Sequence, residues 1–218
     1  MALRQKYFLF LLTMHSSLLL TSTVAGSKVF ALPFGLTASA TVLSYSLTFV
    51  ILDSIAELYG REHSRFVIIL GLLGMFVCAA YIGFAVLLPP AEFWKEQDAF
   101  AITLGSSWRI WLGGWSAYMV GQYVDLWSFL KLREVGGQGV LALRAWVSML
   151  VAQLLDTIIF VTIAFYGSDP ISSIIAGQYL VKLVIAAFAS PAVPIVVWFG
   201  RRLMGEEDTA MQRPTREE

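Results

Sequence analysis

Apolar residues run along this chain in long blocks, and the few polar positions inside those blocks are of unequal kinds. Tyr7–Ser27, Val29–Leu52 and Phe66–Ala91 contain no charged residue. Each reaches the ~20 mainly apolar residues that a membrane-spanning helix needs. Three later blocks are as apolar but each holds one charge: Asp125 in Ile110–Leu130, Asp156 in Ala145–Ser168 and Lys182 in Pro170–Gly200. Buried backbone in lipid must satisfy its own hydrogen bonds, which makes helices the expected form for runs of this length. The pattern predicts an all-α polytopic membrane protein with six transmembrane helices over residues 1–200. A charged C-terminal tail, solvated and disordered, is expected over 201–218. Arg4 and Lys6 before the first block, and Thr23-Val24-Ala25 at its end, offer a rival reading as a cleaved leader. The block is long for a leader's apolar region, so a retained span is the expectation.

The basic residues order these spans in the membrane. Arg4, Lys6, Arg61, Arg65, Lys131, Arg133, Arg144, Arg201, Arg202, Arg213 and Arg216 fall on one side, and only Lys28, Lys95 and Arg109 on the other. Lys and Arg concentrate in cytoplasmic loops, so both termini are expected in the cytoplasm. An even number of spans with both ends inside fits two three-helix halves of inverted orientation, an arrangement common in secondary transporters.

Composition excludes whole classes of function. Hydrophobic residues make up 58% of 218 and charged residues 14%, against roughly 45–50% and 25% in soluble domains. Formal net charge is zero, which leaves no basic surplus for nucleic acid. The single cysteine, Cys78, excludes an internal disulfide and a cysteine metal cluster, and His15 and His63 are too few for a histidine site. No phosphate-binding GxxxxGK[ST], HExxH or GxSxG stretch occurs, so no cofactor, no metal and no enzyme activity is expected.

The charges at depth carry the chemistry. An ionisable group inside a membrane is costly, and normally faces a cavity or a partner. Asp156 lies midway along its block with Gln153 three residues before it, on the same helix face. Lys182 is at similar depth on the last block, which runs the opposite way, so the two can pair. Such a pair either ties helices together or forms a site for a polar ligand. Tyr118, Gln122 and Asp125 recur at i, i+4 and i+7, one polar stripe on an apolar helix. Asp53 and Glu57 are one turn apart at the end of the second block, with Ser46 two turns back. They read either as a helix end meeting water, with Glu57 paired to Arg61, or as an ion or proton pathway at the inner mouth.

These residues resemble one known family, the queuosine precursor transporters, also called vitamin-uptake-transporter-like proteins. Thr48–Gly60 is similar to its Y-x-x-x-D-x-x-x-E-x-Y-G pattern, with Phe49 where the first tyrosine stands. Arg109, Ala117, Tyr118, Gly121, Gln122 and Asp125 match a second stretch, and Ser148, Gln153, Asp156, Thr157 and Phe160 a third. Lys182 with Pro191 or Pro194 matches the last. The family's asparagine near the end of span one is replaced here by Thr23 or a neighbour. The resemblance implies import of a 7-deazaguanine base, such as 7-cyano-7-deazaguanine or its aminomethyl form, across the cytoplasmic (inner) membrane, without an ATPase partner. It implies a substrate site of Asp156, Gln153, Asp125, Gln122, Tyr118 and Lys182. Carboxylates and an amide are suited to the donor-rich edge of such a base, and a tyrosine face to its ring. The expected partners are this nucleobase-like solute and the lipid bilayer; association into a homo-oligomer is left open. Two other readings exist: a membrane scaffold whose charges only join helices, and an intramembrane protease using Asp125 and Asp156.

Overall fold

The computed structural model describes residues 2–105, 108–136, 141–167 and 171–211, with side chains from 135 to 140 and beyond 205 left aside. Seven helices dominate: α1 (Leu3–Val24), α2 (Thr41–Leu87), α3 (Gln97–Leu104), α4 (Trp108–Gly136), α5 (Leu141–Ala164), α6 (Ile171–Ala189) and α7 (Ala192–Met211). Four helical segments are long and apolar enough to cross a bilayer: Leu3–Ser27, Thr41–Leu87, Leu141–Ala164 and Ile171–Gly205.

Helix α2, at 47 residues, is about twice as long as one crossing needs. It breaks at Gly60, whose φ of 81° and ψ of −177° lie in a region open essentially to glycine alone. The Tyr118 ring lies 6.5 Å from the Tyr45 ring, while its hydroxyl donates to the Ile68 carbonyl at 3.1 Å. On one straight helix Tyr45 and Ile68 would stand ~35 Å apart. The chain therefore folds back at Gly60 into two arms, 41–59 and 61–87. The last apolar block is likewise interrupted, between α6 and α7, at Ser190-Pro191, where proline cannot supply the helical N–H.

Three expectations need correction. The second apolar block is not helical throughout. Val29–Ala31 (β1) and Thr37–Ser39 (β2) form an antiparallel hairpin in which Phe30 faces Ala38, so among the described residues the fold is all-α apart from this hairpin. Pro33-Phe34-Gly35 makes the turn, with Phe34 and Gly35 both at positive φ. The length of the block argues for helix, but Pro33 and Gly35 inside it mark a turn that splits its start into two short strands. The helix into the tail does not stop at Gly200 but continues to Met211, and residues 212–218 lie outside the described part. Glu57 does not pair with Arg61; its arginines come from other helices, as described below.

The packing is turned inside out relative to a soluble protein. Phe10, Leu73, Val77, Phe84, Phe188 and Ile195 are among many large apolar side chains on the outer surface. The buried set includes Asp53, Gln122, Asp125, Arg144, Gln153, Asp156, Gln178 and Lys182. Lipid can cover the first group without cost, whereas the second needs partners or a cavity. Helix α5 lies along α4, and α1 along α2. The hairpin seats on α6 at Gly177, where a Cβ would collide with the Thr37 backbone.

Candidate functional site

Buried polar side chains form a file along the bundle, from a pocket at one end to an ion-pair hub at the other. Three helices supply most of it. Tyr45, Thr48, Asp53 and Glu57 come from the first arm of α2; Tyr118, Gln122 and Asp125 from α4; and Arg144, Ser148, Gln153 and Asp156 from α5. Near-helical spacing within each set keeps it on the face turned to the other two.

The pocket is an open-mouthed recess with about 570 Å³ of empty space, part of it continuous with the exterior. Its walls include Trp111 and Trp115 of α4, Phe160 of α5 and Met75 of the second α2 arm. Ser22, Thr23 and Gly26, at the end of α1 and just beyond, close another side. Asp156 and Lys182 line it, together with Tyr45 and Gln178. The Tyr45 hydroxyl donates to Asp156 Oδ1 at 2.8 Å. Lys182 Nζ donates to Asp156 Oδ2 and lies 5.4 Å from the centre of the Tyr45 ring. Gly121 makes room for the aspartate: a Cβ there would sit 3.0 Å from Asp156 Cβ. Gln178, one turn before Lys182, leaves its Oε1 buried without a donor. Asp156 thus has both oxygens engaged, yet its two partners border open space that a solute can enter. The floor offers an ammonium, a phenol, a carboxylate and a free amide oxygen, facing aromatic walls. That set can hold a flat solute with hydrogen-bonding edges.

Below the pocket the file continues. Ser46 donates to Gln153 Oε1 at 3.4 Å, and Gln122 Nε2 to Thr48 Oγ1 at 3.1 Å. Asp53 and Asp125 face each other about a turn further along both helices, with Ser148 beside Asp125. None of their four carboxylate oxygens has a hydrogen-bond donor. At the far end Glu57, whose side chain is only 3% exposed, accepts from Arg144 and from Arg201 at 3.0 Å, with Arg133 at 3.8 Å. Four helices, α2, α4, α5 and α7, meet in this hub. The Arg144 guanidinium also stacks on Phe129 at 4.3 Å.

The structure thus divides the residues singled out from the sequence. Asp156 and Lys182 border the pocket. Gln153, Gln122, Asp125 and Tyr118 lie in the buried file outside the pocket lining, and Asp53 stands opposite Asp125. Glu57 belongs to the hub. The acids that face each other are Asp53 and Asp125, whereas Asp156 is engaged by Tyr45 and Lys182. Sequence reasoning missed Tyr45. A signal was present, since Tyr45, Phe49, Asp53 and Glu57 recur every four residues on one helix face.

A family described as "Putative vitamin uptake transporter" has a sequence model that matches residues 39–196. A Bacillus subtilis (strain 168) protein described as "Probable queuosine precursor transporter" is 29% identical over 162 residues, covering 72% of this chain and 71% of the relative. No solved structure matches the chain.

Proposed function

We propose a function on one premise: the chain belongs to the vitamin uptake transporter family. It is a membrane carrier that imports a queuosine precursor, a 7-deazaguanine base such as 7-cyano-7-deazaguanine or its aminomethyl form. The premise is joined by the name of the similar Bacillus subtilis protein and by the chemistry of the pocket.

The chain crosses the cytoplasmic membrane six times in this reading: α1, the two arms of α2, α4, α5, and α6 with α7. The Gly60 reversal and the apolar outer surface support that count. The asymmetry of Lys and Arg supports cytoplasmic termini. Residues 1–200 are the transporting unit, and the charged segment from Arg201 onward lies at the cytoplasmic face. The pocket then opens to the outside, and the Glu57 hub closes the inner end.

One observation carries the assignment: Asp156, deep in the bundle, is held by Tyr45 and Lys182 at the floor of a pocket with aromatic walls. A base with adjacent N–H donors can share the Asp156 carboxylate, while Lys182 and Gln178 address its other polar atoms. Gln153 and Gln122 support the floor from below, and the tryptophans flank the ring plane. Tyr118 ties α4 to the second arm of α2 through the Ile68 carbonyl.

Uptake of radiolabelled 7-cyano-7-deazaguanine, in cells that neither make nor otherwise import the base, tests the reading. The wild-type chain restores accumulation. Asp156→Asn inserts in the membrane normally and lowers uptake at least tenfold. Undiminished uptake by that variant removes Asp156 from the site.

A further inference from the structure

Asp53 and Asp125 have no role in holding the pocket or the hub, and their surroundings pose an electrostatic problem. Each is buried, at 1% and 0% exposure. Asp125 stands opposite Asp53, with Arg144 and Glu57 also near it. All four carboxylate oxygens lack a donor, as does Oε1 of Gln122, one turn back along α4. Five buried acceptors side by side cannot satisfy each other. Two facing carboxylates out of water also repel strongly, so both cannot stay ionised without a cation between them.

The cations nearby are committed elsewhere. Arg144 gives its terminal nitrogen to Glu57, and Arg133 and Arg201 point to the same glutamate. Ser148 donates to the Ala145 carbonyl, and Thr48 to the Tyr45 carbonyl. Neither hydroxyl therefore has a proton left for the carboxylates, which need a donor of their own. Asp53 lies seven residues before the Gly60 break and Asp125 within α4, so the backbone carbonyls beside them are bonded along their own helices. A proton needs only the two carboxyls, one as donor and one as acceptor.

We propose that Asp53 and Asp125 bind one exchangeable proton between them, and that this pair is the cation site that drives solute import. The proposal rests on the carrier reading above. A proton from the outer side converts one carboxylate to a carboxylic acid, which hydrogen-bonds the other. On the inner side the acid gives that proton to water and both groups become anionic. Arg144, whose Nε has no partner, is then drawn from Glu57 toward Asp53. The groups that set this equilibrium are Glu57 on the same helix as Asp53, Asp125 across from it on α4, and Arg144 and Ser148 on α5.

Two measurements on the full-length protein test it. Infrared difference spectra of the purified wild type at neutral pH carry the carbonyl band of a buried carboxylic acid, sensitive to deuterium exchange and lost on raising the pH. Asp53→Asn/Asp125→Asn removes it. Absence of the band from the wild type, or its survival in the double variant, overturns the proposal. In vesicles reconstituted with wild-type protein and loaded with a pH-sensitive dye, external 7-cyano-7-deazaguanine acidifies the lumen. Uptake without acidification, or driven only by a sodium gradient, overturns the proton site and leaves the carrier reading intact. The band without any uptake of the base overturns the carrier reading and leaves the shared proton standing.

Discussion

At the scale of the residue, this protein depends on which buried charges have partners. Asp156 and Lys182 stand out in the sequence because a charge in an apolar block is expensive, and the structure pairs them. Removing one partner strands the other. Lys182→Met should therefore cost about 3–5 kcal/mol of stability, seen as a lower unfolding midpoint in detergent. Asp156→Asn/Lys182→Met should recover much of that loss, because no unpaired ion remains, while uptake stays absent. A double variant no more stable than Lys182→Met alone would mean that the pair is not the source of the cost. Tyr45 was harder to find from the sequence. Its ring suits an apolar helix, and only the contact of its hydroxyl with Asp156 gives it a polar role.

At the scale of the element, breaks matter more than helices. The apolar blocks predict helix almost everywhere, but Gly60 turns α2 back on itself and Pro33-Phe34-Gly35 makes a hairpin out of the start of the second block. Gly60 has open space around its Cα, with nothing within 4 Å of an added Cβ. Gly60→Ala therefore meets no side chain, and its cost is the backbone conformation alone, about 1–3 kcal/mol. Lower thermal stability, with unchanged affinity for the base in the fraction that folds, is the expected result. A Gly60→Ala protein as stable as wild type would show that the reversal does not need the glycine conformation. The hairpin was hidden because the length of the whole block argues for helix, while the turn signal of Pro33 and Gly35 is local.

At the scale of the whole molecule, the pocket lies at one end of the polar file and the Glu57 hub at the other, and the hub joins four helices through one carboxylate. Glu57→Gln keeps the size of the side chain but weakens its hold on Arg144, Arg201 and Arg133. The inner end should then open. Ser148→Cys, placed in a Cys78→Ser background, should resist a membrane-impermeant thiol reagent applied from the cytoplasmic side. Adding Glu57→Gln should make it reactive; equal protection in both would show that the hub is not the inner closure. The sequence by itself determined the solvent of this protein, its helical content and the scarcity of charges at depth, because lipid sorts residues by polarity and apolar block length follows from bilayer thickness. Only the tertiary structure decided which of those charges meet. Partners such as Tyr45 and Asp156, 111 residues apart, or Glu57 and Arg201, 144 apart, are chosen by how helices pack, and helix periodicity fixes the face a residue takes but not the neighbour it finds there.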